Sequence, residues 1–164
     1  MVASIRPTKT EVNRVRVTVG GDRLNFPGAT TTYCAGLTTT KCLLNSTIST
    51  PSARFMTLYI KDFYYGTSMA RYEYMKLSLT CIPDEIIEQY SLCTLSSGGW
   101  VYLDIRKGMP GLKQANHISN GQLKAHLTKF GFAPVPRTPA LWKHNTKLIF
   151  FSLIKDDFGV NYIG

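Results

Sequence analysis

Two apolar runs near the C-terminal end of the sequence, 148–154 and 158–163, stand on either side of the charged triplet Lys155-Asp156-Asp157. Runs of this length, rich in β-branched and aromatic residues around a short polar tip, predict a hairpin. The tip carries two adjacent carboxylates, held by apolar strands on both sides. Carboxylates are the ligands that a hard cation such as Mg²⁺ takes. Pairs of such ions stabilise the attacking and leaving oxygens of phosphoryl transfer. A plain turn has the same composition, because Asp is a common turn residue. The hairpin alone leaves both readings open.

At 164 residues the chain is the size of one domain with a real core. Hydrophobic residues make up 44% and charged ones 18%, which places it among globular rather than disordered chains. No apolar run reaches membrane-spanning length. The first residues, MVASIRPTKTEVNRVRV, hold no apolar stretch resembling a signal peptide. An intracellular location without membrane contact is therefore expected. Cys34, Cys42, Cys81 and Cys93 are widely spaced with no CxxC pair, so reduced, buried thiols are expected rather than a zinc site. Net charge is +9, from 19 Lys and Arg against 10 Asp and Glu. Such an excess suits an anionic partner, nucleic acid being the commonest. A basic solvated surface has the same balance.

Along the chain, 12–19 (VNRVRVTV) alternates, with Val15, Val17 and Val19 on one face and Arg14 and Arg16 on the other. Two guanidinium groups on one strand face suit phosphate oxygens, which they bind bidentately. An exposed polar strand face reads the same way. Leu37, Leu44 and Ile48 predict a helix over 37–49, ended by Pro51. RFMTLYIKDFYY, residues 54–65, predicts a buried strand running into a turn at 66–68. RYEYMKLSL, residues 71–79, predicts another, with Tyr72, Tyr74, Lys76 and Ser78 on one face. Pro83 suits the first position of a short helix with Asp84 and Glu85 in its first turn. A strand follows at 101–105. Leu112, Ala115, Ile118, Leu123, Leu127 and Phe130 form a helical stripe over 112–130, closed by Gly131. His117 and His126 lie off that stripe and read as surface residues. APVPRTP, residues 133–139, predicts an extended connector to the final hairpin. The order predicts an α+β architecture, an antiparallel sheet backed by helices on one face.

At this point the residues resemble a known family. Gly108-Met109-Pro110-Gly111-Leu112-Lys113-Gln114-Ala115 resembles the YGLKQA signature of reverse transcriptases from copia-type LTR retrotransposons, and Phe151-Ser152-Leu153-Ile154-Lys155-Asp156-Asp157 is similar to their YVDD box. The stretch from Phe55 to Gly66 resembles their first palm motif, and that from Arg14 to Arg23 their triphosphate-touching fingers strand. Order and spacing agree over nearly the whole chain. The resemblance implies a reverse-transcriptase-like palm with part of the fingers in one domain, 1–164. Fingers would be roughly 1–54 and 67–106, and palm 55–66 and 107–164. Thumb, connection and RNase H segments are expected to be missing. The implied activity is RNA-directed DNA synthesis by two-metal nucleotidyl transfer. The implied partners are an RNA or DNA template-primer, a deoxynucleoside triphosphate and the rest of a retrotransposon polyprotein. The implied cofactor is Mg²⁺ or Mn²⁺.

Carried onto this sequence, the resemblance makes Asp156 a catalytic metal ligand with Asp157 beside it. Arg16, helped by Arg14, would bind nucleotide phosphates. Asp62 stands where the family often has a polar residue meeting triphosphate through its backbone. Tyr64 would stack under the deoxyribose and exclude a 2′-hydroxyl. Pro110 and Gly111 would line the nucleotide pocket, and Lys113 would lie near template or phosphate. The chain departs from the family at Tyr59, where the first palm motif has an Asp that bridges both metals. In an extended strand, positions 59 and 62 point to opposite faces, so Asp62 replaces that ligand only if the strand bends. A phenol with a pKa near ~10 is a poor Mg²⁺ ligand at neutral pH. Lys155 stands where the family has an apolar residue, and its ammonium competes with metal for the two acids. Metal binding is therefore expected to be weak or absent, and the chain inactive or very weak alone. Two other readings are a non-catalytic basic nucleic-acid-binding remnant and a structural or interaction domain.

Overall fold

The computed structural model describes residues 2–5, 7, 8, 10 and 12–164; the side chains of 2–4 and 13–16 fall outside that description. Its centre is a five-stranded antiparallel sheet in the order β3-β9-β8-β7-β6. These strands are β3 (Ala53–Tyr59), β6 (Phe132–Pro134), β7 (Leu141–His144), β8 (Ile149–Ile154) and β9 (Asp157–Ile163). β8 and β9 form the expected hairpin, with Ile149 opposite Tyr162 and Ile154 opposite Asp157. Its loop is Lys155 and Asp156 alone, and Asp157 already belongs to β9. Lys155 has φ 58°, a left-handed conformation that glycine or asparagine adopts more readily than lysine.

Side chains alternate across the hairpin. Phe151 and Leu153 of β8 and Phe158 and Val160 of β9 are buried with Trp142 of β7. Leu123 and Leu127 of helix α4 (Ala115–Lys129) pack against this cluster. Trp142 and Phe151 stack with ring planes 4° apart and centroids at 6.0 Å. Full burial of each such apolar side chain contributes about 1.5–3 kcal/mol. On the other face, helix α1 (Leu37–Ser49) covers the sheet, and Asn161 Nδ2 donates to Thr47 Oγ1 at 2.7 Å. Helices thus cover both faces, not one as expected. On this second face Ser152 and Asn161 are buried, and Asp157 lies at its end.

A two-stranded ribbon, β4 (Ser68–Ser78) with β5 (Trp100–Lys107), stands apart from this sheet. Helices α2 (Asp84–Gln89) and α3 (Leu92–Leu95) lie in the connection between its strands. Met69 of β4 and Ile105 of β5 share a second core with Val19, Leu112 and Ala115. The Gln114 side chain, fully buried, donates from Nε2 to buried Glu73 at 3.0 Å and so ties the start of α4 to the ribbon. β1 (Val2–Ile5) and β2 (Asn13–Arg16) form another antiparallel pair. The strand expected over 12–19 therefore ends at Arg16.

Several expectations are corrected. The strand expected over 54–65 stops at Tyr59 and is mostly exposed, because β3 is the edge of its sheet. Residues 61–66 run through successive turns, with Asp62 at φ 55°. The helix expected from 112 begins at Ala115, and Phe130 is 62% exposed rather than core. The connector over 133–139 instead opens inside β6 and leads into β7. Cys42, Cys81 and Cys93 are exposed and Cys34 half-buried, so the thiols are free but not buried.

Candidate functional site

β3 and the β8–β9 hairpin are neighbours, and the register sets Tyr59 opposite Asp157. One bond extends this ladder past the strand: Ile60 N–H donates to the Asp156 carbonyl at 2.9 Å. The chain then reverses. Tyr65 N–H donates to the Asp62 carbonyl at 2.9 Å and Thr67 N–H to the Tyr64 carbonyl at 3.0 Å. This reversal is the bend on which a shared site for positions 59 and 62 depends, and both residues line one cavity. Tyr59, Asp62, Tyr64, Pro110 and Asp156 line one cavity of about 150 Å³, together with Phe63 and Tyr65.

The turn around Tyr64 is braced from behind. Gly108 N–H donates to the Thr67 carbonyl at 2.8 Å, and the hydroxyls of Thr67 and Ser119 are 2.7 Å apart. Burial pushes the Tyr64 phenol above its ordinary value of 10.0, and the Asp156 carboxylate and the Cys34 thiol add to the shift. At neutral pH Tyr64 therefore keeps its proton and presents a hydroxyl donor beside Asp156.

Pro110 is held by the segment that follows β2. Val19 N–H donates to the Pro110 carbonyl at 3.0 Å. Gly111, at φ +97°, sits against the Val19 backbone, and Gly21 sits against the Gly111 carbonyl with no room for a Cβ at either position. Gly111 thus shapes the wall behind Pro110 and is not among the cavity-lining residues. Lys113 is not among the cavity-lining residues; its Nζ donates to the Leu24 carbonyl at 3.5 Å. Arg14 and Arg16 lie in β2, and their side chains are outside the described residues.

Asp157 is placed differently from Asp156. It lines a second cavity, of about 440 Å³, with Tyr59, Ile154, Thr57 and the α1 residues Thr40 and Leu44. The two adjacent acids therefore open onto different cavities, and only Tyr59 lines both. Among the described residues, no three His, Cys, Asp or Glu side chains group where they could hold one ion. The small cavity offers two carboxylates, Asp62 and Asp156, among the phenols of Tyr59, Tyr64 and Tyr65. Near-octahedral oxygen coordination of two Mg²⁺ ions needs more anionic ligands than this, so the donor set does not fit an ion pair.

Sequence reasoning missed Tyr65 and Phe63 as lining residues, because the strand was read through them. The signal available was Asp62, a residue type that tolerates left-handed backbone and so permits a turn there. Comparison of the chain with protein-family models, curated proteins and solved structures returns no match. No helix among the described residues is long and apolar enough to cross a membrane.

Proposed function

We propose that this chain is a reverse-transcriptase-like palm with part of the fingers, derived from a retrotransposon, and that it binds nucleotide and nucleic acid with little or no polymerase activity of its own. One observation carries the reading. Three stretches far apart in sequence supply one cavity: the end of β3 with the turn after it, from Tyr59 to Tyr65, then Pro110, and the hairpin loop at Asp156. These are the stretches whose order resembles the family. The net charge of +9 suits a polyanionic partner. An intracellular location belongs to the same reading.

Asp156 supplies negative charge at the cavity, and the protonated Tyr64 supplies a ring face and a hydroxyl donor. Pro110 and the segment at Val19 that holds its carbonyl form one wall. These groups can orient a nucleoside sugar by its ring face and hydroxyls. Mg²⁺, when bound in such proteins, supplies charge stabilisation to phosphoryl transfer. The phenol at position 59 and the separate orientation of Asp157 favour the non-catalytic variant of the reading, a nucleic-acid-binding remnant.

The test is anisotropy of a labelled RNA–DNA primer-template titrated with the purified chain at several salt concentrations. The expected result is binding with little sequence preference. Affinity should fall with salt at a log–log slope of roughly −0.7 to −0.9 per phosphate contact. Competition by a deoxynucleoside triphosphate should weaken in Tyr64→Ala. Absence of binding at low salt, or binding indifferent to salt, would instead identify a structural or interaction domain.

A further inference from the structure

The outer face of the β4–β5 ribbon is built unlike an ordinary solvated strand face. Register pairs Tyr74 with Asp104, Lys76 with Tyr102 and Ser78 with Trp100. The opposite face carries Glu73, Met75, Leu77, Val101, Leu103 and Ile105 toward the protein. On the outer face four aromatic rings remain exposed: Tyr72 by 47%, Tyr74 by 65%, Trp100 by 43% and Tyr102 by 68%. Cations are interleaved with them. Lys76 Nζ lies 4.9 Å from the centre of the Trp100 ring and 6.0 Å from that of Tyr102. The Arg106 guanidinium lies 5.5 Å from the centre of Tyr72 and also bonds Asp104 at 3.2 Å.

We propose that this face is a stacking surface for single-stranded nucleic acid. Side chains on one face of a strand recur every ~6.8 Å, twice the rise per residue. Tyr72, Tyr74 and Lys76 follow that interval, with Trp100, Tyr102 and Arg106 on the adjacent strand. The rings of Tyr72, Tyr74, Trp100 and Tyr102 accept unpaired bases of any identity, because every base has a π face. The ammonium and guanidinium held over the rings lie where the phosphate backbone of a stacked strand would pass. No aliphatic side chain lies on this face, whereas a surface made to enter lipid carries Leu or Phe among its aromatic residues. The ribbon lies outside the sheet that carries Asp156, so the surface is separate from that cavity. The proposal rests on the nucleic-acid reading above for its class of partner, and it assigns that partner's unpaired strand to a specific surface.

The experiment titrates the full chain with oligo(dT), oligo(rU) and a blunt duplex while following tryptophan emission. Trp142 is 3% exposed, so a response to a surface ligand reports Trp100. Both single strands should quench the emission, and Trp100→Phe should remove the signal. Tyr74→Ala and Tyr102→Ala should each weaken single-strand binding by a factor of about 5 to 150, the range for losing one stacked base. Tyr74→Phe and Tyr102→Phe should restore it, because the ring rather than the hydroxyl carries the contact. Duplex binding should change little in any of these variants, and melting curves should show all of them folded.

If single strands and primer-template bind but the alanine variants bind them as well as wild type does, the stacking surface is wrong and the nucleic-acid reading stands. If neither single strand nor duplex binds, both fail. A shift of Trp100 emission on phosphatidylserine vesicles without any response to oligonucleotide would overturn the proposal in favour of a lipid-facing ribbon.

Discussion

Gly111→Ala tests whether the segment after β2 is fastened to the turn that supplies Pro110. Gly111 has φ +97°, and a Cβ there would lie inside the backbone of Val19. Three costs add. Holding a non-glycine residue in sparsely populated backbone space costs about 1–3 kcal/mol. Relieving the clash by moving Val19 breaks its 3.0 Å hydrogen bond to the Pro110 carbonyl, a further loss of about 1 kcal/mol. Moving Val19 also disturbs a core residue packed with Met69, Ile105 and Leu112. The expected total is ~2–4 kcal/mol, and a domain of this size loses about 2–4 °C of Tm per kcal/mol. Gly121→Ala is the matched control. Gly121 lies within α4 with open space around it. Alanine is the better helix former by about 0.8–1.0 kcal/mol, so this variant should melt slightly higher than wild type. The assay is thermal unfolding by circular dichroism for the three proteins side by side. Equal melting of Gly111→Ala and wild type would refute the fastening.

Tyr64 carries a pH signature. Its folded pKa is raised above the unfolded value of 10.0, so its contribution to stability is complete below about pH 10 and is lost as pH rises through the folded value. Tyr64→Phe should lose less stability than wild type between pH 9 and 11, and Asp156→Asn should bring the Tyr64 titration down, as ultraviolet phenolate absorbance would record; an unchanged titration in Asp156→Asn would separate the two groups. Leu153, 1% exposed at the centre of the hairpin core, should cost about 2–5 kcal/mol as Leu153→Ala in denaturant unfolding. A loss below ~1 kcal/mol there would contradict the packing between β8 and α4.

Much of the fold was legible in the sequence for identifiable reasons. α1 runs over the predicted 37–49, and α2 forms where expected, with Pro83 capping it rather than opening it. The hairpin pattern gave β8, β9 and their neighbourhood because two apolar runs around a polar tip have few other uses. β6 and β7 were hidden by Pro134, Pro136 and Pro139, which read as a connector although the strands formed around them are short. β3 was read too long because RFMTLYIKDFYY has strand propensity throughout, and only the left-handed backbone at Asp62 shows where the chain turns. That one turn explains what was least legible at the site. Propensity cannot show that Asp62 returns to the cavity. Nor can it show that a two-residue loop leaves Asp157 inside β9, facing a different cavity from Asp156.

We propose that the cavity at Asp156 is a nucleotide site that lacks, at position 59, a carboxylate a metal ion would need. Calorimetric titration with Mn²⁺ addresses it without requiring primer extension. Wild type, Tyr59→Asp and the double variant Tyr59→Asp/Asp156→Asn are titrated at neutral pH. The account predicts weak or no binding by wild type and a gain of about tenfold or more in Tyr59→Asp, the scale on which metal-site residues alter affinity. That gain should vanish when Asp156 is also removed. Binding of two ions by wild type as tightly as by Tyr59→Asp, or a gain that survives the loss of Asp156, would contradict it.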